Sequence, residues 1–417
     1  MVTNPVYKYY IPGLFAKIAG AIAVCLIYVF YYEGGDTTGY FKGATSMVNL
    51  FFKDAGDFFS VLLGDLSDKN RFVFDMNTGW PPLYMWEDPH TFFVIQFITP
   101  LTFLAFKNFI LTAILLAWLS YLGIWKLYLL FCEQFPQLSK EFAIAILFVP
   151  SVVFWGSGIL KDTITFSATC WFTYSFYKLF AKREKMLYNA LYLIISSYLL
   201  VAIKPYILFA LLPGTLLWLS YDKIIGIRSI FIRVLIAPFI IVLFTGAGYW
   251  VFNSFSDLLG DYSTEKVLEK AIITQEDLTR SNQYGQNYYD VGKFDASISS
   301  VLGKAPAAIS ATLFRPFLWE AGNPVILLSA IENTLILGLT IWLLLKLRII
   351  GIFRLIGKHP LILFALSFSL FFAFGVGLST ANFGALVRYK IPAIPFFVAS
   401  LFILKYYYHI GISSRKI

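Results

Sequence analysis

Histidine and cysteine are scarce, with three of each in 417 residues. Cys25, Cys132 and Cys170 all lie in apolar runs, with no CxxC pair and no disulfide-type spacing, so they read as buried thiols. His90, His359 and His409 are scattered, which argues against a histidine-based metal centre. Charge is sparse as well: 14% of residues are Asp, Glu, Lys or Arg, against 59% hydrophobic. A water-soluble fold cannot hide that much apolar surface, so the expected solvent is a lipid bilayer. The chain has no Walker loop, no dinucleotide-binding glycine set and no nucleophile elbow, which removes a soluble-type nucleotide-sugar site. It also lacks an internal repeat.

The net charge of +9 is distributed informatively. Lysines and arginines cluster between apolar runs, as positive-inside loops do, and form no basic groove, so nucleic acid is not an expected partner. The first apolar run, 13–32, is long and lacks a small-residue cleavage site, so it reads as a retained first span. Lys8 and Lys17 flank its start and place the N-terminus in the cytoplasm. An acid-rich segment, 33–108, follows. Within it Val48, Leu50, Phe51, Phe52, Phe58, Phe59, Leu62 and Leu63 fall on a helical period, which predicts an amphipathic helix on the outer leaflet, broken by Pro81-Pro82.

Residues 91–106 are apolar but short, interrupted by Gln96, Thr99 and Pro100. If they crossed the membrane, every later loop would flip and Lys182, Arg183, Lys185, Arg228, Lys346 and Arg354 would all face outward, against the positive-inside trend. They are therefore assigned as a juxtamembrane element. Further spans are predicted near 109–131, 142–156, 163–181, 186–203, 206–221, 229–250, 324–345, 361–379 and 389–405. The expected fold is all-α: a polytopic membrane protein of about ten transmembrane helices with both termini cytoplasmic. It forms one membrane domain, 1–417, with large outer loops at 33–108 and 251–323.

This topology gathers four polar features on the outer face. Asp36 follows Gly34-Gly35, a backbone that turns tightly and returns a carboxylate to the membrane surface. It suits a general base, and equally an N-cap for the following helix. Lys161-Asp162 interrupts an apolar hairpin; it is either a snorkelling pair or a second acid with a phosphate-facing lysine. The stretch Phe314-Arg315-Pro316-Phe317-Leu318-Trp319-Glu320 suits phosphate and sugar-ring contacts, and also plain interfacial anchoring. Arg388-Tyr389-Lys390 puts two cations outside, against the trend, which points to an anionic ligand.

Together these stretches resemble the GT-C superfamily of integral-membrane glycosyltransferases. The resemblance rests on Gly34-Gly35-Asp36 with Tyr40 after the first span, the Pro81-Pro82-Leu83-Tyr84 close of the first outer loop, the acid Asp162 in the second outer hairpin, and Arg388-Tyr389 with Pro392 at the head of a late span. It implies sugar transfer from a polyprenyl-phosphate-linked donor to a glycan, lipid or protein acceptor, at the outer face of the inner (plasma) membrane, with inversion at the anomeric carbon. On that reading Asp36 and Asp162 are catalytic, Arg388, Lys390, Lys161 and Arg315 bind the donor phosphate, and Tyr389, Trp319, Glu320 and Tyr84 contact substrate. No metal cofactor is expected, because a phosphate matched by Arg and Lys needs none, although two acids are the right ligand type for Mg²⁺ or Mn²⁺. The alternatives are a polysaccharide polymerase or ligase using polyprenyl-linked glycans, a transporter of such glycans, and a non-catalytic scaffold.

Overall fold

A computed structural model describes residues 5–225, 289, 292 and 298–413. Their regular elements are helices, with no strand among the described residues. Six described helices are long and apolar enough to cross a membrane: Pro5–Phe30, Phe109–Gln134, Met186–Ile203, Pro324–Ile356, Pro360–Ser379 and Ile394–Gly411. That agrees with a polytopic membrane protein. The span expected near 229–250 and most of the loop 251–323 lie outside the described residues. The chain divides into two compact units, residues 1–139 with 152–206, and residues 140–151 with 207–417.

The first unit is built on α1 (Tyr10–Phe30), α2 (Asp36–Lys53), α3 (Ala55–Leu63), α4 (Pro89–Leu104), α5 (Phe109–Gln134), α6 (Lys161–Phe176) and α7 (Met186–Ile203). Its apolar core includes Tyr40, Met47, Phe92, Ile95, Leu116 and Ile164. Glycines let its helix backbones approach closely, as small residues do in membrane bundles. A Cβ on Gly20 would lie 2.4 Å from the Val153 carbonyl oxygen, and one on Gly123 would lie 2.5 Å from that of Ser167. α6 is buried nearly all round although it is rich in hydroxyls. Thr165, Thr169 and Thr173 each donate to the carbonyl four residues back, at 2.8–3.0 Å, so their hydroxyls are satisfied within the helix.

The second unit contains α8 (Pro205–Ile225, which enters it at Ile207), α9 (Ala305–Phe314), α10 (Pro324–Ile356), α11 (Pro360–Ser379), α12 (Phe383–Tyr389) and α13 (Ile394–Ser413). α9 and α11 meet where a Cβ on Gly377 would fall 2.2 Å from the Ala308 carbonyl oxygen, and the Thr312 hydroxyl donates to the Ala373 carbonyl at 2.7 Å. α10 is broken at Arg348, whose φ of 55° is non-helical. The span expected at 324–345 lies within this longer helix, N-terminal to the break.

Several local expectations change. The amphipathic helix of the first loop is two helices, because Asp54 is extended and its carboxylate caps α3, accepting from the Asp57 amide at 3.0 Å. Phe58 and Leu50 face the core, whereas Phe52, Phe59 and Leu63 are exposed. Residues 91–106 form most of α4, a helix of 16 residues. At 1.5 Å per residue that is about 24 Å, short for a span. The segment expected to cross at 142–156 is not one helix: a π-helical turn, Ala143–Leu147, is followed by a break at Phe148 and a short helix, Pro150–Trp155. Lys17 is not a flanking charge at the membrane lip. It is buried, and its ammonium donates to the Gly156 carbonyl beyond the end of that short helix.

Two helical glycines separate close packing from open space. Gly377→Ala must push the α9 backbone aside and is expected to cost about 1–3 kcal/mol. Gly338→Ala, with nothing within 4 Å, is expected to be neutral or to stabilise by up to about 1 kcal/mol. Chemical unfolding of the purified protein in detergent measures both.

Candidate functional site

The turn that follows α1 is made by its glycines. Glu33, Gly34 and Gly35 have φ of 54°, 139° and 121°, the last two open to glycine almost alone. A Cβ on Gly35 would also come within 3.0 Å of the Tyr28 ring. The chain thus reverses immediately after α1 and starts α2 with Asp36. Gly35 is the N-cap, with no side-chain cap bond. Asp36 is therefore the first residue of the helix rather than its cap. A carboxylate in this first turn is favoured by the helix dipole. Gly39, one turn on, leaves space for the loop that closes back over α2: a Cβ there would be 2.7 Å from the Tyr84 hydroxyl and 2.6 Å from the Met85 methyl. Burial raises the Tyr84 phenol pKa, and the Asp36 charge adds to it, which places the two side chains within electrostatic reach.

Lys161 comes to the same place from the other hairpin. It is the first residue of α6, and its ammonium contacts the Asp88 carboxylate at 3.3 Å and the Thr91 hydroxyl at 2.6 Å. Asp88 also caps α4, accepting from the His90 amide at 3.0 Å and from the Thr91 hydroxyl. Burial on its own would raise the Asp88 pKa, but the Lys161 charge and the Thr91 hydroxyl outweigh it and hold the carboxyl below its ordinary value. Burial lowers Lys161; Asp88 opposes that shift, Lys204 adds to it, and Asp36 opposes it from further off. The His90 ring contacts the Ala202 carbonyl through Nδ1 at 2.8 Å, so Nδ1 carries the proton and α4 is tied to the end of α7.

Asp162 sits behind this group. It is fully buried and accepts from the Lys204 ammonium at 2.5 Å, with Lys204 itself buried at the C-terminus of α7. Of the four residues predicted here, Asp36, Tyr84 and Lys161 share one half-exposed cluster, while Asp162 braces it from inside. Asp88 and Thr91 were missed as members. Their only sequence signal is Asp88 preceding Pro89, which reads as an ordinary helix start.

The second unit holds the other predicted residues. Arg315 pairs with Glu320 through one guanidinium edge, donating from Nε to Oε2 at 3.1 Å and from Nη2 to Oε1. Its guanidinium also lies over the rings of Tyr289 at 5.2 Å, Phe383 at 5.4 Å and Phe317 at 5.9 Å. Trp319 is 81% exposed and stacks on Phe317 at 4.9 Å. Arg388, in the last turn of α12, lies over the neighbouring Tyr389 ring at 5.7 Å. Lys390 is fully enclosed, and its ammonium donates to Asn333 Oδ1 at 2.6 Å and to the Arg315 carbonyl at 3.2 Å. In this arrangement it braces the Arg315 turn, and Arg315 and Arg388 are the cations that reach the surface. Among the described residues, no group of three or more His, Cys, Asp or Glu is placed to hold a metal ion.

No protein-family model, no curated protein and no solved structure matches this chain.

The Lys161 pKa has a consequence for stability. A lysine lowered on folding binds fewer protons than the unfolded chain between its lowered pKa and the ordinary value near 10.4, so folded-state stability rises with pH through that window. Lys161→Met is expected to flatten this rise relative to the wild-type chain. Melting temperatures from pH 7 to about 10.5 check it, and parallel profiles would mean that Lys161 does not titrate there.

Proposed function

We propose that this chain transfers a sugar from a polyprenyl-phosphate-linked donor to a glycan, lipid or protein acceptor at the outer face of a bacterial inner membrane. The observation that carries the reading is the Asp36 turn. It holds a half-exposed carboxylate at the start of α2, within electrostatic reach of Lys161 and Tyr84, at one end of the first unit's helices. The proposed topology is about ten crossings with both termini cytoplasmic, which turns this end outward.

The lipid tail of such a donor stays in the bilayer and its phosphate lies at the interface, where cations on helix ends are available. In the proposed reaction Asp36 accepts the proton of the acceptor hydroxyl as its oxygen attacks the anomeric carbon. The bond from that carbon to the phosphate oxygen breaks, and polyprenyl phosphate leaves with the electron pair. Attack from the face opposite the leaving group inverts the anomeric configuration. In the first unit Lys161 is the candidate for the charge on the departing phosphate; in the second unit, taken by itself, Arg315 and Arg388 are the cations suited to a phosphate. Glu320, paired with Arg315, keeps that guanidinium oriented, and Lys390 positions the turn that carries it. Trp319 offers an exposed ring face of the kind that packs on sugars. Asp162 acts through Lys204 and the α6 terminus rather than on substrate.

The test uses purified protein in detergent with a panel of polyprenyl-phosphate hexoses, measuring donor consumption. Wild-type protein is expected to release polyprenyl phosphate. Asp36→Asn, which keeps the side-chain shape, is expected to lose at least about 100-fold in rate with an unchanged melting temperature. Near-normal turnover by that variant would reject the reading in favour of a polymerase or ligase relying on outer arginines. Absence of donor consumption by wild-type protein across the panel would favour a transporter.

A further inference from the structure

The opposite end of the first unit carries a second polar construction that the proposed reaction does not use. Lys178 follows Lys161 along α6 and the π-helical turn Tyr177–Lys182. Seventeen residues at 1.5 Å each put it about 25 Å from the Asp36 cluster. A cavity of about 660 Å³ opens there between α5, the end of α6 and the start of α7. Three lysines, Lys126, Lys178 and Lys185, and one glutamate, Glu184, line it.

The charges are not balanced. Lys178 is neutralised by Glu133 at 2.9 Å and Glu184 at 2.8 Å, and Lys182 lies 3.7 Å from Glu133. Lys126 has no carboxylate partner among the described residues. Its ammonium rests on the Trp171 and Tyr174 rings at 5.6 and 5.1 Å, with Lys178 and Lys185 near enough to repel it. Lys185 is held at the rim in a left-handed conformation, φ 42°, and serves as the N-cap of α7 with no side-chain cap bond. The N-terminal turn of this 18-residue helix, Met186 to Asn189, lines the same cavity as the excess lysines. Asn189, 2% exposed, also lines it. Its Nδ2 donates to the Glu184 carbonyl at 2.6 Å, while its Oδ1 is buried with no hydrogen-bond partner.

The rim is apolar. Met186 and Leu187 border the cavity, and Leu187, Leu191, Ile194 and Tyr198 form one exposed stripe down α7 from that point. A ligand that fits both parts has a phosphate for Lys126, Lys185 and the helix amides, a hydrogen-bond donor for Asn189, and hydrocarbon for the stripe.

We propose that this cavity is a headgroup site for an anionic phospholipid whose headgroup also offers a hydroxyl, with its acyl chains lying along α7. Basic pockets between helices at the lysine-rich side of a membrane protein are suited to such headgroups. The site is independent of the sugar-transfer reading, and its test needs no turnover.

The experiment is native mass spectrometry of the full chain released from mixed phosphatidylglycerol and phosphatidylcholine nanodiscs. The expected result is one phosphatidylglycerol retained per chain, with at least a tenfold preference over phosphatidylcholine. Lys126→Gln with Lys185→Gln is expected to lose that preference. Should the double variant not fold, Lys185→Gln alone, at an exposed position, is expected to weaken retention several-fold, and Lys185→Arg to keep it. Retention unchanged in every glutamine variant that folds, or no preference in the wild-type chain, would overturn the proposal. Inorganic phosphate or glycerol phosphate at millimolar concentration is expected not to displace the lipid. Displacement by either would overturn the lipid assignment and identify a soluble phosphate ligand.

Discussion

A charge removed from water has to be answered by another part of the chain, and most of the geometry described above follows from that constraint. Asp162 is met by Lys204, 42 residues away in sequence. Lys390 is met by Asn333, 57 residues away, and by the Arg315 carbonyl. Glu332, buried on α10, accepts from the amide and hydroxyl of Ser151 at 2.8 and 2.7 Å. Lys17 reaches the Gly156 carbonyl. Each contact fixes one helix against a distant segment of the same unit. Apolar side chains can slide past one another with little change in energy, whereas a buried ion pair tolerates little displacement. Removing one member of such a pair leaves a buried charge, at about 3–5 kcal/mol.

The half-exposed cluster depends on these buried contacts. Lys161 and Asp162 are adjacent on the first turn of α6, so anchoring Asp162 through Lys204 also fixes where the Lys161 ammonium emerges. Lys161 then finds Asp88 and Thr91 on α4, and Asp36 faces it from α2. The second unit repeats the logic: the enclosed Lys390 holds the Arg315 carbonyl, and the Arg315 side chain emerges between aromatic rings and Glu320. In both places a buried charge aims a cation that is partly open to solvent.

Local chemistry was legible in the sequence. The Gly34-Gly35 turn follows from what glycine alone permits, and the length and apolarity of the long helices from composition. What sequence could not supply is partnership at a distance. Asp162 reads as a second outer acid until Lys204 is seen against it, and Lys390 reads as a surface cation until it is found enclosed. Asp88 looks like a cap, and it is one, but only folding shows that the same carboxylate also holds Lys161. Asp54 divides an otherwise continuous helical period because its side chain satisfies the next helix's amide, a competition that apolar spacing does not register. The broken segment 142–156 reads as a continuous span for the same reason: hydropathy reports how apolar a stretch is, not whether its backbone stays helical.

The threonine ladder of α6 bears on what that helix needs from its neighbours. With hydroxyls at Thr163, Thr165, Ser167, Thr169, Thr173 and Ser175 and charge at Lys161 and Asp162, this helix is a poor substrate for insertion by itself. Its polar side chains are tolerated only where α5 and α7 cover them. α6 is thus the least self-sufficient helix of its unit: α5 and α7, which pack along it, supply the apolar surroundings that its own composition does not.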